Sequence, residues 1–120
     1  MWILLLLAML GADSGPGSVQ PPAPPADMVV SAMRGEDSVR RRCSACHAVG
    51  MDDQSPNPRS PPLRDIATRY PVDNLEEALA EGIYVGHNSP MPPFALDAEE
   101  IADITAYLRQ LNAQRAQNRP

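Results

Sequence analysis

The sequence predicts an all-α domain of three to five helices, and three observations point that way. No stretch of useful length alternates apolar and polar residues as a half-buried strand does. Ile101, Ile104, Leu108 and Leu111, joined by Tyr107, recur at the spacing of one helical face. The segments between the helical patterns are rich in proline, which ends helices and leaves long irregular connections.

The chain opens on residues 1–14, which are read as an export signal outside the fold. Trp2–Leu10 is an unbroken run of 9 apolar residues, far short of the roughly 20 that a bilayer-spanning helix needs. Small residues follow at Gly11, Ala12, Ser14 and Gly15, where a signal peptidase would cut. No Lys or Arg precedes the run, so the signal is atypical or the start lies upstream; a buried structural helix is the alternative. No cysteine follows closely enough for a lipid anchor, and no stable membrane insertion is expected. Residues 15–26 form a Pro-rich linker of extended character. The folded domain is expected over residues 27–120.

The first helix is expected over Met28–Arg42, with apolar residues at Met28, Val29, Ala32, Met33 and Val39. Gly35 sits in its middle, where glycine costs about 1 kcal/mol relative to alanine, so close approach of another backbone is expected there. Residues 50–63 hold four prolines, Pro56, Pro58, Pro61 and Pro62, and should form no regular element. A short helix over Leu63–Tyr70 is ended by Pro71. Asp73 and Glu76 have capping-box spacing at the start of the next helix, and Gly82 ends it. Asp97 and Glu100 repeat that spacing before the last helix.

Composition bounds the function. The 120 residues include 14 prolines but only five aromatics, Trp2, Tyr70, Tyr84, Phe94 and Tyr107. A domain so small and so poor in large side chains usually needs a staple. The formal charge is −5, against a nucleic-acid binder and against a polybasic membrane-surface protein. All 10 cationic residues are arginine, which is read as genome composition.

Cys43-Ser44-Ala45-Cys46-His47 has the C-x-x-C-H spacing that is read as a site of c-type haem attachment. On one helical turn, residues at i, i+3 and i+4 share a face, so two thiols can meet two vinyl groups while the imidazole reaches the iron. A thioredoxin-like dithiol would need a βαβ pattern that is absent. A zinc site could draw on Cys43, Cys46, His47 and His87. A plain Cys43–Cys46 disulfide would close only a tiny loop.

A haem held by His47 has a sixth position. Met51 is too near in sequence to pass round the porphyrin edge, and Met28 and Met33 fall on the first helix, available for core packing. Met91 lies among Pro90, Pro92 and Pro93, which fix an extended backbone, and stands 44 residues beyond His47. His87 is the competing ligand. A soft thioether opposite histidine favours ferrous iron.

With these motifs the sequence resembles the class I monohaem cytochromes c of the short bacterial periplasmic type, over about residues 27–112. The resemblance covers Cys43, Cys46, His47 and Met91, and implies a cytochrome c-like fold with three to five helices around one covalently attached haem c and its iron. It implies that Gly35 on the first helix crosses Tyr107 on the last, with Val39 and Ile104 as neighbouring contacts. Ser60-Pro61-Pro62-Leu63 is similar to the segment whose proline carbonyl accepts a bond from the proximal histidine, here Pro61 and His47. Arg69 falls where an arginine approaches the haem propionates. The family's lysine docking ring is absent; Arg40, Arg41 and Arg42 are offered in its place, and Tyr70 or Tyr84 in place of a propionate-binding tryptophan. Tyr70, Phe94 and Tyr107 are expected to pack around the porphyrin.

The function so implied is that of an exported, periplasmic one-electron carrier. Its partners would be redox proteins: a donor reductase or dehydrogenase and an acceptor oxidase or reductase, with no nucleic acid. Two alternatives stand beside it, a cytochrome subunit of a periplasmic or membrane oxidoreductase complex, and a haem-based enzyme or gas sensor with an open axial position.

Overall fold

The computed structural model describes residues 22–82 and 94–120, with Gly15 and Gly17. The expected signal, and Tyr84, His87 and Met91, lie outside the described residues. Among those described there are four helices and no strand: α1 (Ala26–Arg42), α2 (Leu63–Arg69), α3 (Val72–Glu81) and α4 (Ala98–Gln117).

Proline starts three of the four. Pro25, Pro62 and Pro71 each precede a helix with φ between −57 and −54° and extended ψ, and none offers a side-chain cap. The fixed ring angle is pre-set for the turn that follows. This corrects two expectations. The first helix begins at Ala26, two residues before Met28. Asp73 is not the cap of α3; it lies inside the first turn and accepts a bond from Arg109 Nη2 at 2.5 Å.

Asp97 does cap α4, its Oδ1 accepting from Glu100 N at 2.8 Å. The other half of that capping box is missing, because the Glu100 carboxylate is engaged by Ser38 and Arg42. Tyr70 turns extended (φ −120°, ψ 137°) ahead of Pro71 and ends α2. Gly82, at φ 84°, ends α3 in a region that side chains disfavour.

α1, α2 and α3 each pack on α4. The core forms around its apolar stripe: Ile101, Ile104, Tyr107, Leu108 and Leu111 are buried, with Val39, Val49, Leu63 and Ala67 against them. Each such aliphatic side chain contributes roughly 1.5–3 kcal/mol on burial. Ala32, Gly35, Ser38 and Val39 form the buried face of α1. Met28 and Met33, expected to be available for core packing, do not join it, and neither does Val29; Met33 is 62% exposed. Val29, Val30 and Met33 lie round the helix from the Ala32–Gly35–Val39 line, and Met28 precedes its first buried residue.

Gly35 marks the closest approach of α1 to α4. A Cβ there would stand 1.9 Å from the Asp103 carbonyl oxygen, 2.5 Å from its carbon and 3.0 Å from Ile104 N. Only a residue without a side chain fits. The crossing falls on Asp103 and Ile104, one turn ahead of the expected Tyr107. Polar ties flank it on both sides. Asp103, with a side chain only 8% exposed, accepts Ser31 Oγ at 2.5 Å and Arg34 Nε and Nη2 at 2.7 and 2.9 Å. Glu100 accepts Ser38 Oγ at 2.5 Å and Arg42 Nε and Nη2 at 2.6 and 3.1 Å. Each carboxylate thus takes a hydroxyl and a forked guanidinium from α1.

Candidate functional site

Cys43 closes α1, its N–H bonding Val39 O at 2.8 Å. The chain then makes one more turn, with Cys46 N and His47 N both donating to Cys43 O at 3.2 and 2.9 Å. That turn gathers Cys43, Cys46 and His47 at the end of the helix. Both cysteines are half-buried free thiols. Burial pushes the Cys43 thiol above its ordinary range, and the nearby Arg42 offsets this only in part. A dithiol redox centre wants the opposite shift, toward thiolate.

His47 Nδ1 lies 2.6 Å from Pro61 O. A carbonyl only accepts, so Nδ1 carries the proton and Nε2 keeps a lone pair free for a metal.

The three residues after His47 have every main-chain polar group engaged. Ala48 N bonds Ser55 Oγ at 2.9 Å and Ala48 O accepts Leu63 N at 2.9 Å. Val49 N reaches Asp53 Oδ2 at 3.0 Å, and Val49 O accepts the buried Tyr107 hydroxyl. Gly50 N reaches Asp53 Oδ1 at 2.9 Å, while Gly50 O accepts Arg64 Nη1 at 3.1 Å. Asn57 N adds a bond to Cys46 O at 3.2 Å. The proline-rich loop is therefore held by specific bonds, although it contains no regular element. Sequence reading missed Asp53, Ser55 and Arg64. An acidic residue three positions after a glycine is the signal that could have flagged Asp53.

The core is fringed by half-covered apolar residues. Cys43, Met51, Ile66, Val72, Leu75, Leu79 and Leu96 pack on the core cluster but stay partly open. α3 has no fully buried residue, though Val72, Leu75 and Leu79 form an apolar stripe along it. Amphipathic helices normally bury that stripe. The two free thiols, half-covered apolar surface at Cys43 and the available Nε2 suit haem c.

Other predicted residues fall elsewhere. Arg69 is exposed on the last turn of α2, where its charge complements the helix end, and lines a groove of about 520 Å³ with Tyr70, Asn112, Arg115 and Arg119. No hydrogen bond or ion pair joins it to the Cys43–His47 turn among the described residues. Tyr70 is 56% exposed and does not pack in the core; Phe94 is half-buried. Of the Arg40–Arg42 run, all exposed, Arg40 pairs with Glu36 and Arg42 with Glu100, so two of the three are engaged in ion pairs at the surface. No group of three or more His, Cys, Asp and Glu able to hold a metal ion occurs among the described residues.

Comparison with known proteins agrees with the geometry. Residues 32–112 match the cytochrome c family. Neither the curated proteins nor the solved structures returned a match. The matched span takes in the Gly35 crossing, the Cys43–His47 turn and the apolar stripe of α4, and on that basis the chain belongs to the cytochrome c family, haem-binding electron-transfer proteins with covalently bound haem c.

Proposed function

We propose that this protein is an exported one-electron carrier whose haem is bonded through Cys43 and Cys46 and ligated by His47 and Met91. The observation that carries the reading is the His47 Nδ1–Pro61 O contact at 2.6 Å. It fixes the tautomer, orients the ring and raises the basicity of Nε2. The haem supplies a redox-active iron when bound. The protein supplies two thiols on one turn and an oriented imidazole.

Met91 enters from its proline-fixed setting and its distance along the chain from His47. Were His47 and Met91 both to hold the iron, oxygen and substrates would find no open site, which would favour electron transfer over catalysis. Export of the chain fits the apolar run at residues 2–10, because haem c is attached outside the cytoplasm.

The exposed apolar residues Met28, Val29, Val30 and Met33 on α1 favour a second reading, a cytochrome subunit held in an oxidoreductase complex. Gel filtration of native extract separates the two: a carrier elutes as a small protein, a subunit with its complex. No helix among the described residues is long and apolar enough to cross a membrane.

The test is the absorption spectrum of the purified, haem-matured protein with a pyridine haemochrome assay. A c-type spectrum is expected, and its absence would refute the reading. Met91→Ala should abolish the charge-transfer band of methionine-ligated ferric haem, while His87→Ala should leave it. Carbon monoxide binding to the reduced native protein would instead indicate an open axial position, as in a sensor or enzyme.

A further inference from the structure

We infer that Arg64 is a positioning residue for His47, acting through the Pro61 carbonyl; this rests on the reading of His47 as a haem ligand. The Nδ1 bond is only as well defined as the place of Pro61, a loop residue with no helix or strand of its own to hold it. What holds it is a pair of ties just downstream. Leu63 N bonds Ala48 O at 2.9 Å. Arg64 Nη1 reaches Gly50 O at 3.1 Å, Asp53 O at 2.9 Å and Asp53 Oδ1 at 3.4 Å.

A single guanidinium nitrogen thus joins the first turn of α2 to the turn that follows His47. Asp53 stiffens the far end by accepting from both Val49 N and Gly50 N. Ring nitrogen, carbonyl, α2 and the 48–53 turn form a closed circuit, and the side chain completing it is 19% exposed. Removing the Arg64 donors leaves Leu63 N–Ala48 O as the one remaining tie of that pair, so Pro61 gains freedom to drift from Nδ1 while Cys43, Cys46 and His47 stay in place.

Position and charge predict opposite results, which makes the inference testable. A weaker Nδ1–H···O bond lowers the electron donation of Nε2. Ferric iron is then less stabilised and the reduction potential rises. Loss of a nearby positive charge, acting alone, stabilises the ferric state and the potential falls.

The experiment compares holoprotein carrying Arg64→Met, which keeps the stem and removes the donors, with wild type and with Arg109→Met. Arg109 pairs with Asp73, away from the circuit. Two quantities are read: the midpoint potential, and solvent exchange of the His47 Nδ1 proton by NMR. Expected for Arg64→Met are a rise in potential and exchange faster by about tenfold, the loss of one ordinary hydrogen bond. A fall or no change in potential with wild-type exchange would overturn the inference. If Arg64→Met yields no holoprotein, Arg64→Gln is used, a shorter neutral side chain that stops short of Gly50 O and Asp53 O. A rise in potential with faster exchange then supports the circuit, and wild-type values in both overturn it. The wild-type ferric sample separates the underlying reading: His47 ring protons without paramagnetic shifts would refute histidine ligation itself, before any Arg64 variant is compared.

Discussion

The main chains of Gly35 and Asp103 meet with no room for a methyl group between them: a Cβ on Gly35 would lie 1.9 Å from the Asp103 carbonyl oxygen. Because that oxygen belongs to a helix backbone, it cannot swing aside as a side chain would. Gly35→Ala must separate α1 from α4 and disturb Val39 and Ile104 with them. A loss of about 3 kcal/mol is expected, at the upper end for overpacking, or on the order of 15 °C in Tm for a domain of this size. Denaturant melts of the holoprotein check it; wild-type stability would mean that the helices do not touch here.

Acid should loosen the same crossing. The Arg34 guanidinium, and more weakly the Ser31 hydroxyl, hold the Asp103 carboxyl below its usual range, while Arg42 and Ser38 do so for Glu100 and Arg115 for Asp65. A carboxylate with a lowered folded pKa stabilises the fold above its unfolded value and loses that contribution as pH falls through the folded one. Stability should therefore hold steady above about pH 5 and decline below about pH 4. Asp103→Asn should lower stability at neutral pH and flatten the acid limb; an unchanged limb would remove Asp103 from the account.

Tyr107→Phe removes one oxygen atom and leaves the Val49 carbonyl without its partner. An unsatisfied buried acceptor costs about 1–3 kcal/mol. The loss should appear in thermal melts with little change in helix content, because the ring still fills its place. A neutral result would show that water replaces the hydroxyl.

Loss of the cofactor should be felt first in α3. This helix has no fully buried residue and relies on half-covered Val72, Leu75 and Leu79. In apoprotein, amide exchange in α3 should be fastest among the four helices, and no cooperative melt is expected. A sharp apoprotein transition with a protected α3 would show that the polypeptide supplies enough core by itself.

Local features were legible in the sequence. The stripe Ile101, Ile104, Leu108 and Leu111 located α4, prolines and Gly82 punctuated the short helices, and C-x-x-C-H marked the site. Resemblance singled out Pro61, and the glycine in α1 announced a close crossing. Less was visible where one group had two possible partners. Asp73 has the look of a cap, but Pro71 starts the helix and Asp73 pairs with Arg109. Glu100 could turn back to its own helix start, but Ser38 and Arg42 claim it from 62 and 58 residues away. Arg42 read as part of a surface patch because its partner Glu100 is chosen by how α1 and α4 lie. Such pairings depend on the angle and register of a crossing that no local pattern encodes.

The closed bonding of Ala48–Gly50 bears on how cheaply an electron can come and go. When the charge on a redox centre changes, nearby dipoles that are free to turn must reorient, and that work slows transfer. Here the six main-chain N–H and C=O groups of Ala48–Gly50, next to His47, are already committed to Ser55, Leu63, Asp53, Tyr107 and Arg64. Dipoles fixed in advance incur no rearrangement at the moment of transfer. On this side of the site, the polypeptide acts as a frozen solvent.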